Sequence, residues 1–449
     1  MLWSSITRSA GTGGVRDEMG FTRGAGATSC CAAIVVMLIC SVAVLPVSGS
    51  EESAGGWPMF QARGDHNAVF RRPNFRPIWT FEAGERINSG LAVVGDLLLF
   101  DTLGGKVVAL DVRRGTVRWQ STLDNVTMST PIVIDRNVFI GTGHNGSINS
   151  HNADFVYAAG AHSPTLRMWG RPEGDHLVAF DLNTGAKRWQ YRTAGEDMPS
   201  AVAIHGVLVF ANGDFNVYGL RTGDGTAVWQ HPLRGLATMA SANRTGDYAI
   251  VSTCSGPDYR GETFAMHWAT GHVRWHAVAG DCDSAPTLDG ARVFVSGVDG
   301  IKQPYGYGAR GTVEALDAKS GRVLWHYISD EAGPYTKIGS NERAIAGCYH
   351  DGIYFQALPT VDKFLAFDAS TGHVLWQLRT TAPVKMSAVA RNGKVYFGDT
   401  AGLFYTVDEH SGKVLSIRMF DAPFTVSPPV IVGDSIFVAS GTKVFAFGV

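Results

Sequence analysis

Apolar and polar residues alternate in short runs along most of this chain, and the runs come in pairs. TPIVIDRNVFIGT, APTLDGARVFVSG and SAVARNGKVYFGD each read as strand, tight turn, strand. A period of two sends successive side chains to opposite faces, so these are half-buried strands and not helices. The Asp, Asn and Gly residues between them suit short hairpin turns. A second pattern follows each pair. It reads ALDVRRGTVRW up to Trp119, AFDLNTGAKRW up to Trp189, GLRTGDGTAVW up to Trp229 and AMHWATGHVRW up to Trp275. ALDAKSGRVLW, AFDASTGHVLW and TVDEHSGKVLS then end at Trp325, Trp376 and Ser416.

A glycine stands four residues before each of these final positions. The alternating residues ahead of Asp form a third strand. Asp-x-x-(Thr/Ser)-Gly is a tight turn, because Asp can accept from the backbone two residues on and Gly tolerates positive φ. The fourth strand carries the tryptophan to the outer edge. There its apolar face can pack on the neighbouring unit while the indole N–H finds a backbone carbonyl. Two repeats replace the turn Asp, with Arg221 and His267, and these replacements read as drift.

Four strands per unit, recurring at a spacing no shorter than 40 residues, is the signature of propeller blades. Seven blades end at Trp119, Trp189, Trp229, Trp275, Trp325, Trp376 and Ser416. Beyond Ser416, SPPVIVGDSIFVASGTKVFAFGV supplies three strands of an eighth. Its missing outer strand is RPIWTFEAG, which holds Trp79 in docking phase. The expected fold is an all-β, eight-bladed β-propeller over residues 51–449, closed by an N-terminal strand pairing with the C-terminal blade. Such closure removes free sheet edges.

The unit Ala-φ-Asp-x-x-(Thr/Ser)-Gly-x-x-x-Trp resembles the repeat of the pyrroloquinoline-quinone (PQQ) enzyme superfamily, from about Trp57 to Val449. That superfamily also holds non-enzymatic members similar to the outer-membrane assembly lipoprotein BamB. The resemblance implies fold strongly and function weakly, since one fold hosts many sites.

Departures from the minimal spacing cluster on one face. The blade ending at Trp189 carries thirty residues more than the 40-residue minimum, between its second and third strands. The blade ending at Trp325 is lengthened at the same connection, and the blade ending at Trp376 ahead of its first strand, in SDEAGPYTKIGSNERA. Both kinds of connection emerge on the same side, and the opposite side keeps turns of two to four residues. Long loops on a rigid scaffold are where binding resides. Trp169, Arg171, Asp281, Asp283, Lys337 and Arg343 are therefore the candidate binding residues, with Glu196, Asp197, Glu342, Lys385 and Asp399 on the same face. Trp169 is read as the anchor packing the insertion onto its blade. The resemblance implies an alternative, a platform stacking on PQQ, with a face carboxylate holding Ca²⁺ or acting as base.

His144, His151, His162 and His176 lie in the insertion at spacings that fit no compact ligand set, so no metal is expected. Two features depart from PQQ alcohol dehydrogenases of the large type: the only adjacent cysteines are Cys30 and Cys31, and the chain is short.

Net charge is −2, which gives no basic field for nucleic acid. The uncharged run CCAAIVVMLICSVAVLPV, Cys30 to Val47, follows Arg8, Arg16 and Arg23 and precedes Ser48, Gly49 and Ser50. Residues 1–50 read as a signal peptide, with translation starting at Met1 or Met19, or as an uncleaved membrane anchor. The protein is expected to be periplasmic or secreted, and to meet the membrane only through that segment. In an oxidising compartment Cys254 and Cys282, at the decorated face of adjacent blades, can form a disulfide. Cys348 is expected to be a buried free thiol. The expected role is a binding or assembly scaffold for a protein partner or small molecule at the decorated face. The alternative is a PQQ-dependent dehydrogenase oxidising an alcohol or sugar.

Overall fold

The computed structural model describes residues 77–143, 175–197, 200–235, 237, 239–255, 260–299, 309–333 and 344–448. Within them lie eight antiparallel sheets of four strands each. Most neighbouring blades touch through their innermost strands, which closes a ring around the axis. In blade 1 the strands, A to D from the axis outward, are Ala92–Val94, Leu97–Asp101, Lys106–Asp111 and Val117–Thr122. The middle two strands are buried on both faces because each sheet is sandwiched between two neighbours.

The repeat tryptophans bolt consecutive blades together. Each indole N–H donates to a carbonyl of the next blade, at the residue just after the position of the turn Asp. Trp119 reaches Leu182 O at 2.8 Å, Trp229 reaches Trp268 O at 2.7 Å and Trp376 reaches Glu409 O at 2.8 Å. Trp79, Trp189, Trp275 and Trp325 bond Val112, Thr222, Ala318 and Ala369 in the same way. The ring lies on the turn glycine of that next blade. Gly372 has φ +75°, and a Cβ there would stand 2.6 Å from Trp325 Cδ2. Glycine is thus required twice, by the left-handed backbone and by the ring above it.

The turn Asp caps its own turn. In Asp368 the carboxylate accepts from Ser370, Thr371 and two backbone N–H groups, and the hydroxyls hold it at about 2. The two repeats lacking this Asp have not simply drifted. His267 Nδ1 accepts from Ala269 N at 3.3 Å, and in the Arg221 turn Asp224 accepts from Thr226 N at 2.9 Å. On this face the A–B turns are as short as Asn392–Gly393, with φ 53° and 74°. The C–D connections are longer than the sequence suggests, for example 112–116, and in blades 1 to 7 each is followed by a register shift ahead of the docking position.

Blade 8 joins the two ends of the chain. Trp79–Glu82 pairs antiparallel with Lys443–Gly448, Trp79 opposite Ala446 and Glu82 opposite Lys443. Trp79 and Phe81 pack with Leu98, Phe100 and Phe437 between blades 8 and 1. The break in the repeat at Ser416 follows from this closure. Its docking partner would be a C–D turn in blade 8, but there the third strand, Lys443–Gly448, and the fourth, Trp79–Glu82, are separate stretches of chain with no C–D turn joining them. With no turn to dock on, a tryptophan has no seat. Phe404, Phe420, Phe424 and Phe447 fill the joint, and the Arg418 guanidinium lies 4.5 Å from the Phe447 ring centre.

Candidate functional site

In every blade the D–A connection carries the chain from the rim to the axis, and all eight arrive on one face. The residues just before each innermost strand line an axial pocket of about 170 Å³. Two positions before the strands stand Gly90, Thr130, Ser200, Ser241, Ala285, Ala346, Ser387 and Pro428. Four positions before them, Met128, Met239, Asp283, Lys385 and Val426 also line it. Four hydroxyls thus ring the mouth, with thioethers on one arc and one acid and one cation on another. This arrangement can grip a small polar ligand or the tip of a partner's loop. Asp283 is half-buried and Lys385 is buried.

The structure separates the two acids that flank Cys282. Asp283 reaches the axis, whereas Asp281 turns inward, is buried, and accepts from Asp283 N at 3.1 Å. Asp399 lies on the same face, in the B–C turn of blade 7. It caps its own B–C turn, accepting from Ala401 N and Leu403 N at 3.0 Å and from Tyr405 OH at 2.9 Å. Trp169, Arg171, Lys337, Glu342 and Arg343 lie outside the described residues, as do His144, His151 and His162. His176 opens the third strand of blade 2 and is buried.

Cys254 and Cys282 are bonded, with Cα atoms 4.9 Å apart. Cys254 closes the second strand of blade 4, Tyr248–Ser255, as the spacing indicates. Cys282 lies in the connection before the innermost strand of blade 5, Thr287–Leu288, and not within it. Cys348 is free and half-buried where full burial was expected, and burial pushes the thiol up to about 11.

Asp197, which the sequence places on the decorated face, is buried there, as is Asp214. Asp197 accepts from Thr193 Oγ1 at 2.6 Å and from Asn212 Nδ2, and Asp214 accepts from Tyr218 OH at 2.5 Å. Burial raises Asp197 well above the carboxylate range, with Asp214 and Asp175 adding to the shift. Asp101 is the more unusual group. It ends the second strand of blade 1 with no exposed surface, and the Ser89 and Thr127 hydroxyls are the side-chain donors beside its carboxyl. Each hydroxyl also stands at hydrogen-bond distance from a main-chain carbonyl, Ser89 Oγ from Asp101 O at 2.9 Å and Thr127 Oγ1 from Gly141 O at 2.8 Å. By register, the other seven blades place Gly141, Ala211, Ser252, Ser296, Ala357, Gly398 and Ala439 here. Aligning the blades on their innermost strands would have exposed this lone acid.

Burial raises Asp101 well above the ordinary range. The folded state then binds a proton that the unfolded state has released. Stability contributed by this group is full below the unfolded carboxylate pKa and declines as pH rises toward the folded one. Asp101→Ala is therefore expected to melt higher than the parent at pH 7, with the gap closing toward pH 4. Thermal melts across that range check it, and a lower melting temperature at pH 7 contradicts it.

PQQ is a planar quinone bearing three carboxylates, and it needs stacking faces and cations. Among the described residues the axial lining offers no aromatic ring and a single cation, Lys385. Its 170 Å³ is also small beside the roughly 300–1,000 Å³ of usual cofactor sites. The described residues by themselves do not fit PQQ, and no chemical step is derived through it.

Known proteins similar to this chain include both enzymes and assembly factors. A tetrathionate hydrolase of Acidithiobacillus ferrooxidans is 22% identical over 432 residues, spanning 86% of this chain and 84% of its own length. The outer membrane protein assembly factor BamB of Yersinia pestis is 24% identical over 349 residues, covering 76% of this chain and 80% of that protein. The crystal structure of BamB from Moraxella catarrhalis superposes with a TM-score of 0.60 at 17% identity, covering 83% of this chain and 97% of that one. A europium-containing methanol dehydrogenase gives 0.58 at 14% identity over 86% of this chain and 90% of that one. These structural likenesses show the fold. The family model described as outer membrane protein assembly factor BamB matches residues 68–252, 242–357 and 309–447. With its docking tryptophans, its closing strand and this match over most of its length, the chain belongs to the BamB-like family of PQQ-type β-propellers.

Proposed function

We propose that this protein is an exported binding scaffold that receives a protein partner on the face where the eight D–A connections converge. The observation that carries the reading is the axial mouth, where a hydroxyl ring and the Asp283 and Lys385 side chains open on the face that also bears the long connections. The relatives described as outer membrane protein assembly factors support a protein partner. The apolar run from Cys30 to Val47 supports export to the periplasm or beyond, as a cleaved signal or an anchor.

A photo-crosslinking residue placed at Ser387 is expected to capture a defined envelope protein, and the same residue at Asp224, on the opposite face, is not. Lys385→Glu should weaken capture from Ser387 at least tenfold, the scale of a well-placed interfacial charge. Capture from both faces alike would overturn the reading. So would purified protein that takes up one equivalent of PQQ with Ca²⁺, seen as quinone absorbance, and then reduces a dye with an alcohol. That outcome establishes the dehydrogenase instead.

A further inference from the structure

Three metal-ligating side chains converge at the joint of blades 4 and 5, set back from the axial mouth. The sulfurs of Cys254 and Cys282 and a carboxylate oxygen of Asp281 all lie within 4.8 Å of one another, and all three residues are buried. Cys254 Sγ stands 3.6 Å from Asp281 Oδ1 and accepts the Cys282 backbone N–H at 2.9 Å. Phe215 packs against the two sulfurs. A disulfide accounts for the pairing of the cysteines, and the bond from Asp283 N holds the Asp281 carboxylate beside their sulfurs in a buried place.

We propose that, once this disulfide is reduced, Cys254, Cys282 and Asp281 form a three-ligand site for a thiophilic divalent cation of the zinc class. Cross-link and metal are then alternative closures of the same joint. With a phosphine as reductant the S–S bond breaks, phosphorus is oxidised to the phosphine oxide with oxygen from water, and the two protons of that water end on the sulfurs. The cation next displaces both thiol protons to solvent and gains two metal–sulfur bonds and one metal–oxygen bond. Two thiolates and one carboxylate carry three negative charges against the two of the cation. Metal–sulfur bonds of about 2.3 Å and a metal–oxygen bond of about 2.1 Å require donor separations of roughly 3.5–3.8 Å in a tetrahedron. Small side-chain rotations reach that from the present positions, leaving the fourth place for water. Two sulfurs in the donor set select zinc, cadmium or cobalt over calcium or magnesium. Either closure also holds the mouth, because Met239 N and Ala240 N donate to Cys282 O at 3.0 and 2.8 Å.

The test uses the full chain, reduced with a phosphine, freed of reductant under nitrogen and titrated with Co²⁺. The expected result is thiolate-to-cobalt charge-transfer absorption, with the visible bands of tetrahedral cobalt, saturating at one equivalent and displaced by Zn²⁺. The oxidised chain, Cys254→Ser and Cys282→Ser should each lack it. Asp281→Asn keeps both cysteines, and should lower affinity by at least about tenfold, since loss of even a ligand's outer partner costs that much. The proposal is overturned by a folded, reduced chain without the band. It is equally overturned by a band that survives Cys254→Ser or is unchanged in Asp281→Asn, or by a chain that unfolds on reduction.

Discussion

A chain from which Trp79–Glu82 has been deleted is expected to lose roughly 5–9 kcal/mol of stability and most of its soluble yield. Those four residues are the entire outer strand of blade 8. Trp79 lies 5.8 Å from the Phe437 ring and Phe81 6.0 Å from that of Phe100, so the deletion strips a half-buried aromatic layer from the joint of blades 8 and 1. Full truncation of a buried Trp or Phe costs about 3–5 kcal/mol, and half-burial roughly halves that for each ring. The lost ladder bonds add about 1 kcal/mol apiece. The sum is a large share of the 5–15 kcal/mol that usually holds a domain together. The deletion also bares the hydrogen-bonding edge of Lys443–Gly448, an invitation to intermolecular pairing. Thermal melts and light scattering on the deleted and parent chains check both effects. An unchanged melting temperature would mean that some other segment completes the eighth blade.

Trp325→Ala is expected to destabilise by about 3–5 kcal/mol, whereas Ser416→Trp should gain nothing. Trp325 is 9% exposed, stacks 5.9 Å from Phe367, and donates to Ala369 O at 3.0 Å. Its loss leaves a cavity between blades 5 and 6 and strands that carbonyl. Gly372→Ala attacks the same joint from below, where the added Cβ meets the ring and the backbone is left-handed. It should cost a comparable amount without touching the tryptophan. Ser416 occupies the equivalent position in blade 7, but opposite it, in blade 8, no C–D turn joins the third and fourth strands. A tryptophan there would find neither glycine nor carbonyl and would crowd Arg418 and Phe420. Denaturant titration of the three variants gives the comparison. A stabilising Ser416→Trp would contradict the account of why the repeat breaks at that blade.

The acid and sulfur chemistry of the decorated face divides between what was legible and what was not. Asp283, Lys385 and the Cys254–Cys282 pair could be placed there from loop position alone, because propeller connections alternate between faces. Which of Asp281 and Asp283 reaches the axis could not be read that way. One residue of shift reverses a side chain, and in an irregular loop no period fixes the phase. Asp399 shows the same limit, since a loop carboxylate and a turn cap have the same local sequence.

The sequence by itself determined the architecture. The turn Asp, the glycine and the tryptophan recur at fixed offsets, so each blade specifies its own hairpins and the socket for the blade before it. Trp79 ahead of the first complete repeat, and three strands after the last, left one way to close the ring. Only the tertiary structure decided the site. The axial ring of Thr130, Ser200, Ser241 and Ser387 comes from residues far apart in the chain, brought together only when eight blades share an axis. Asp101 reads as an ordinary strand-ending Asp, and its full burial is set only in the folded molecule. Local periodicity encodes strands and turns because backbone geometry repeats with the residue. Burial and convergence belong to contacts between blades, which no single stretch of sequence contains.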